Sequence, residues 1–443
     1  MMKTLNAFLV LAMIASPAKA VESNALPTLT LAEAQKLALK NHPQIAAADY
    51  KTLAAEEVVK ESRAGFFPQL NLYGSAVGAD SDNTRILAGG LNNPSVYDRT
   101  AGGLGLSQLI TDFGHTANLT ASSKLQAQAT SQTGKATREQ VLLRADADYF
   151  GALQAQAVMN VATQTLDTGQ LLLDQVSVLA SNKLKSELDI SFAKVAVEQD
   201  RLLLQKAQND AEAALASLST ALGFREFHRF RLVEQSLPVS GITNDVSGLI
   251  QTALENRPEL ASLRAGREAA LRFARAQKDS RLPTFSAVGV AGASPVHDDR
   301  LPDNYAAAGV QLSLPLFAGG LYAARQHQAE LQAQADAELL RVAEDDVIRD
   351  VRIAWLNLNN AEEQLRTTGQ LVEHATEAFD LARARYKVGS SSIVELSQAQ
   401  LLLTSAQIAA TNARYNVLIQ QANMNYQLGL ISQPVNLAVV SRK

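Results

Sequence analysis

The 443-residue chain contains no cysteine. That excludes disulfides, thiolate metal sites, a cysteine nucleophile and a lipid-modified cysteine after an export signal. Basic charge is not in excess: 40 Lys and Arg stand against 44 Asp and Glu, a formal net charge of −4. Nucleic acid is not an expected partner, because phosphate recognition needs a basic face. Aromatic residues make up only 5%, few for a membrane β-barrel with aromatic girdles at both interfaces. No apolar run approaches the ~20 residues of a transmembrane helix. The six histidines, at 42, 115, 228, 297, 327 and 374, are scattered and form no HExxH pair. His297-Asp298-Asp299 reads as a solvated acidic loop tip, and Gly102-Gly103-x-Gly105 lacks the strand-to-helix setting of a phosphate loop. No catalytic, cofactor-binding or metal-binding residue is expected, so the sequence does not read as an enzyme.

What is present begins with an export signal. Lys3 supplies a positive start, Leu5 to Ala15 is a short apolar run, and Ala18-Lys19-Ala20 has the small-x-small form of a cleavage site. Residues 1–20 are expected to be a signal peptide, with the mature chain starting at Val21.

The rest is a duplication. Leu188, Asp189, Ile190, Ser191 and Ala193 correspond to Val394, Glu395, Leu396, Ser397 and Ala399, and Leu222-Gly223 to Leu428-Gly429, at one offset (395 − 189 = 206; 429 − 223 = 206). Earlier in each unit the offset is larger: Pro258 repeats Pro43 and Pro283 repeats Pro68 (258 − 43 = 215; 283 − 68 = 215). The difference, 215 − 206, places a nine-residue deletion in the second unit between these landmarks, where loops tolerate it. Residues 21–240 form the first repeat and 241–430 the second, with 431–443 a C-terminal tail.

Each unit follows the same order. Thr30-x-x-Glu33 is a capping box for a helix from Leu31 to about Asn41, and Asp245 takes the cap position in the second unit. His42-Pro43 breaks that helix, and a second runs from Gln44 to Arg63 with apolar Ile45, Leu53, Val58 and Val59. The apolar period then changes to two. Leu70 and Leu72, and later Leu104 and Leu106, predict a β-hairpin over about 68–108, its loop carrying Asp80, Asp82 and Asp98. A matching hairpin spans about 284–315. Strands of about ten residues suit a tilted crossing of a bilayer.

Helical period returns at His115 and persists to about Asn182, with Val141, Leu142, Ala145, Tyr149, Ala152 and Leu153 spaced as a coiled-coil seam. A turn at 182–186 and a return helix from Leu188 to Leu222 complete a long helical hairpin over about 115–223. The second such hairpin covers about 321–429, with Trp355 in the place of Tyr149 and a turn at Gly389 to Ser392. Phe224 to Gly241, with Pro238, reads as a connector.

Four strands per chain cannot close a barrel, because bacterial barrels start at eight. Either the hairpins lie outside a membrane or several chains share one barrel. The fold class expected is mainly α with a small β part. A periplasmic coiled-coil structural or adaptor protein without a pore is the other class to weigh, and membrane-length strands at matched places in both repeats argue against it.

The ordered set of LITDFG and LPLFAGG junctions, the RYKVGSSSIVELSQAQ turn and the paired Leu-Gly endings resembles the TolC-like outer membrane efflux protein family, over about the whole mature chain. The resemblance implies a homotrimer: twelve shared β-strands form one outer-membrane barrel in lipid, continued by a twelve-helix α-barrel tunnel through the periplasm. It further implies an exit duct without cofactors. Such a duct docks a periplasmic adaptor (membrane fusion) protein and an inner-membrane transporter, in a tripartite efflux pump or alternatively a type I protein secretion system. At the periplasmic gate it matches Tyr386 with Asp189 as a bonded pair and Glu395 as an acidic ring. Gln398 stands where a second acidic residue is usual, and Ser391 where a basic one is, so a gate held less tightly by ions is expected. Lys183, Lys185, Gly389 and Ser390 fall in the tip turns. On spacing alone, Asp189 and Glu395 are equally first-turn carboxylates that favour the helix dipole.

Overall fold

A computed structural model describes residues 26–77, 99–234, 245–297 and 302–432. The signal segment, the acidic hairpin-loop residues Asp80, Asp82, Asp98, Asp298 and Asp299, Pro238, and the tail beyond 432 lie outside the described residues.

The first repeat runs β1 (Thr28–Leu29), α1 (Leu31–Asn41), α2 (Pro43–Ala64), β2 (Gln69–Val77), β3 (Arg99–Thr111), α3 (His115–Ser181), α4 (Glu187–Ala221). After β4 (Arg231–Leu232), the second runs α5 (Val246–Asn256), α6 (Pro258–Asp279), β5 (Thr284–Val296), β6 (Asn304–Ser313), α7 (Leu321–Lys387), α8 (Ile393–Gln427). Helix lengths match in pairs: α1 and α5 have 11 residues, α2 and α6 have 22, α3 and α7 have 67, α4 and α8 have 35. At 1.5 Å per residue, α3 and α7 are each about 100 Å long.

Local chemistry sets the ends. Thr30 accepts from the Glu33 amide at 3.3 Å while Glu33 accepts from the Thr30 amide at 2.8 Å, closing the expected capping box. Pro43 occupies the first turn of α2, where its missing N–H costs nothing. Asp112 accepts from the amides of Gly114 (3.2 Å) and Thr116 (2.8 Å), turning β3 into α3. Among the described residues, positive φ occurs in four pairs separated by 206: Phe113 and Gly319, Gly114 and Gly320, Lys183 and Gly389, Gly223 and Gly429. The backbone therefore repeats as the sequence does.

The strands form one antiparallel sheet in the order β2-β3-β5-β6, so the two hairpins meet through β3 and β5 while β2 and β6 are free edges. Here the fold differs from the sequence reading in two details. β3 continues to Thr111 rather than ending near Gln108, because it pairs with Phe285 of the second hairpin. The 224–241 connector contains β4, which pairs in parallel with β1. The glycine run in β3 has a packing role: a Cβ on Gly103 would meet the Tyr305 hydroxyl and Ala291 oxygen, and one on Gly105 would meet the Tyr73 ring.

Three apolar cores lie along the helices. One gathers Val141, Ala145, Tyr149, Leu218 and Leu222 beneath α1, a second gathers Val351, Ala354, Leu358 and Met424 beneath α5, and a third lies at the tips. The Tyr149 hydroxyl lies 2.9 Å from Leu29 O and 2.8 Å from Val233 O, so one proton is shared between the carbonyls flanking the β1–β4 pair. Trp355, its equivalent, packs at the edge of the second core. Asp49 of α2 pairs with Arg138 of α3, while the equivalent pair in the second repeat has its signs reversed, Arg264 with Glu344 at 3.0 Å. Ile45 is buried as expected of α2, but Leu53 and Val58 face outward in the protomer.

Candidate functional site at the helical turns

Both long hairpins turn in the same way. At the end of α3, the Leu184 amide donates to Leu179 O at 2.9 Å and the Lys183 amide to Ala180 O at 2.9 Å. At the end of α7, the Ser390 amide donates to Arg385 O at 2.9 Å and the Gly389 amide to Tyr386 O at 3.1 Å. Each is a paired 6→1 and 5→2 closure through one left-handed residue. Gly389 adopts that geometry at φ 77°, without a Cβ to resist it, but Lys183 holds φ 60° with a full side chain. A non-glycine residue there costs about 1–2 kcal/mol. Lys183→Gly should therefore raise stability, by about 0.5–1 kcal/mol after the greater freedom of glycine in the unfolded chain is subtracted. Thermal unfolding of the purified variant checks this, with Gly389→Ala moving the other way.

The return helices start differently. Ser186 caps α4: it accepts from the Asp189 amide at 3.2 Å, and the Asp189 carboxylate accepts from the Ser186 amide (2.9 Å) and hydroxyl (2.8 Å). Ser392 caps α8 by accepting from the Glu395 amide at 3.2 Å. The Glu395 carboxylate, however, reaches across the turn to Arg385 Nη1 at 2.9 Å. Ser390 donates its hydroxyl to Arg385 O at 3.2 Å, and Ser391 donates to Ala382 O at 3.5 Å. Gln398, one turn beyond Glu395, is exposed.

Tyr386 is buried in the tip core with Val176, Phe379, Ile393 and Leu396. Its hydroxyl has no hydrogen-bond partner among the described residues. Burial, and next the charge of Asp189, push its pKa up. The expected Tyr386–Asp189 bond is not formed within the protomer: the Asp189 carboxylate turns back to cap α4 through one of its oxygens. Instead, Lys185 from the first turn places Nζ 3.9 Å from the Tyr386 ring centroid, joining the two hairpins. Lys185 and Arg385 thus place positive charge at the tip. Sequence reasoning missed both partnerships. Ser186-x-x-Asp189 carried a readable capping-box pattern, whereas the Arg385–Glu395 pair, ten residues apart, follows from the turn geometry.

Among the described residues, no group of three His, Asp or Glu side chains is arranged to hold a metal, and no helix is long and apolar enough to cross a membrane. A four-stranded sheet with two free edges, set on helical hairpins about 100 Å long, defines a protomer of the tunnel-forming type of envelope channel. The family model described as outer membrane efflux protein matches residues 34–224 and 249–430, and the chain belongs to that family. It is 26% identical to the outer membrane protein TolC of Salmonella enteritidis over 93% of this chain and 85% of that one. It is 25% identical to TolC of Vibrio cholerae over 96% of each. The Campylobacter jejuni CmeC outer membrane channel has the same fold, with a TM-score of 0.75 at 18% identity, covering 90% of this chain and 86% of that one.

Proposed function

We propose that this chain is the outer-membrane exit duct of a tripartite efflux pump, acting as a homotrimer. The observation that carries the reading is the open-edged sheet of membrane-length strands joined directly to the long helical hairpins of a family member. In lipid every strand edge must be paired, and open sheets do not persist. Three copies would supply twelve strands and twelve stretches of tunnel helix, with residues 1–20 cleaved on export and the helices in the periplasm. The duct performs no chemistry of its own, and its substrates are set by the inner-membrane transporter and the adaptor that dock at the tips.

The tips form the gate in this reading. Lys185 over the buried Tyr386 ring ties one hairpin to the other and contributes about 0.5–2 kcal/mol. The half-exposed Arg385–Glu395 pair stiffens the second turn and contributes under about 1 kcal/mol. Arg385 also offsets the charge that Glu395 would present to the lumen, weakening a cation-binding acidic ring. Single-channel recording in planar bilayers tests the function. The wild type should give small steps, and Lys185→Met and Tyr386→Leu, which remove the cation–ring contact, and Asp189→Ala, which uncaps α4, larger ones. Absence of any channel activity, with the protein recovered as a detergent-free soluble monomer, would sink the proposal; unchanged steps in all three variants would remove the gate from it.

A further inference from the structure

Two residues of the long helices break the internal symmetry where one hairpin meets the other. Asp200 of α4 lies against Gly169 of α3: a Cβ added to Gly169 would stand 2.5 Å from the Asp200 carboxylate oxygen. Their equivalents at the 206 offset are Ala406 of α8 and Ala375 of α7, both buried. The second hairpin thus carries alanine at both places, so pairing of the helices does not need a carboxylate there. At 1.5 Å per residue, Asp200 sits about 16 Å from Asp189 along α4.

What Asp200 reaches is the other hairpin. Gln400 of α8, 7% exposed, donates its amide to the Asp200 carboxylate at 3.3 Å. One turn away, the buried hydroxyls of Thr165 on α3 and Thr404 on α8 meet at 3.2 Å. These two polar rungs join α8 to the first hairpin near the tips. Burial alone raises the Asp200 carboxyl to about 6, and the charged groups of the packed helices do not offset it. α8 has no charged residue between Glu395 and Arg414, and Asp167 and Asp174 of α3 are exposed. On α4, Glu198 and Arg201 pair with each other at 2.9 Å, while Lys194 and Lys206 are exposed. An ionised Asp200 is therefore held in the seam by one neutral hydrogen bond, and a charge so placed gains by moving into water.

We propose that Asp200 and Gln400 form a proton-sensitive rung between the hairpins: protonated Asp200 keeps α8 seated on α3 and α4 with the tips closed, and its ionisation favours withdrawal of α8 and opening. The inference rests on the reading of the tips as the gate of an outer-membrane duct, and adds to it a response to periplasmic acidity. The sign follows from linkage: a carboxyl that holds its proton more tightly in the closed state makes closing more favourable as pH falls. With Asp200 at about 6 when closed and near 4 once in water, the open-to-closed ratio should rise about tenfold between pH 5 and pH 7.5.

Open probability in planar bilayers at pH 5 and pH 7.5 tests the rung in the wild type, D200N, G169A/D200A and E395Q. The wild type should show the rise of about tenfold. D200N keeps an acceptor for Gln400 but cannot ionise, so it should stay near the acid value of the wild type at both pH values. G169A/D200A copies the alanine pair of the second hairpin and should lose the pH response, with helical circular dichroism unchanged. E395Q should retain the rise, because that carboxylate lies at the tip turn, outside the seam. A rise kept by D200N and G169A/D200A but lost in E395Q would assign the response to the tip and overturn the rung; so would a D200N channel held open at both pH values. A wild type without channel activity at either pH defeats the duct reading itself, whereas an active channel whose response ignores Asp200 defeats the rung alone.

Discussion

Gly223→Ala should be among the most damaging single substitutions in the helical part, lowering stability by about 3 kcal/mol or more. Two costs combine. Gly223 has φ 84°, where any side chain costs about 1–2 kcal/mol. In addition, an added Cβ would lie 2.7 Å from the Asn41 carbonyl carbon and oxygen and 2.8 Å from the His42 nitrogen. Those are backbone atoms at the corner between α1 and α2, so no rotamer change can relieve the clash. Gly429 makes the same approach to Asn256 and Arg257, with φ 70° and nearest distances of 2.9–3.1 Å. Gly389 supplies the comparison: it has φ 77° but nothing within 4 Å of its added Cβ. Thermal unfolding of Gly223→Ala, Gly429→Ala and Gly389→Ala should show two large losses and one small one. Equal losses in all three would show that backbone conformation, rather than close approach, sets the cost.

Asp146→Asn should stabilise the protein above neutral pH and leave it unchanged in acid. Asp146 is 5% exposed on α3, with Gln35 of α1 donating to it at 2.8 Å. Burial drives its pKa up to about 7, and the Gln35 bond only partly opposes this. The folded state therefore keeps a proton that the unfolded chain loses near pH 4. Between those values the unfolded state binds fewer protons, so stability falls as pH rises and levels off above about 7. At about 1.4 kcal/mol per pKa unit, the ionised carboxylate costs roughly 2–4 kcal/mol at pH 8. Asparagine carries no charge and can still accept from Gln35. Melting curves at pH 4.5 and pH 8 should separate the variant from wild type only at the higher pH. Glu139, also buried on α3 and held near 7 by burial and then by Glu259, adds to the same trend in the wild type.

The repeat made most of the fold readable. Once two offsets aligned the halves, each weak boundary was supported by its twin: α3 ends at Ser181 and was expected to end near Asn182. What escaped was either too short or too dependent on tertiary contact. β1 and β4 have two residues each, below any periodicity, and exist because Tyr149 and a parallel pairing hold them. Asp146 and Glu139 look like solvated helix charges until neighbouring helices cover them. At the tips, the residue types were legible but the partners were not, since two carboxylates at equivalent positions make different choices. Asp189 turns back to Ser186, while Glu395 turns across to Arg385.

The equal length of α3 and α7 also governs where this chain can change length. Inserting one residue into either helix would rotate everything beyond it by about 100° and advance it by about 1.5 Å. The tip core joins Val176 of one to Phe379 and Tyr386 of the other, so the seam and the tip would both fall out of step. A lone insertion or deletion in one long helix is therefore ruinous unless its twin carries the same change. The hairpin region at the opposite end has already absorbed a difference of nine residues, 215 − 206, between the repeats. Changes of length are accordingly best tolerated between the strands of each hairpin, while the distance from sheet to tip acts as a fixed span.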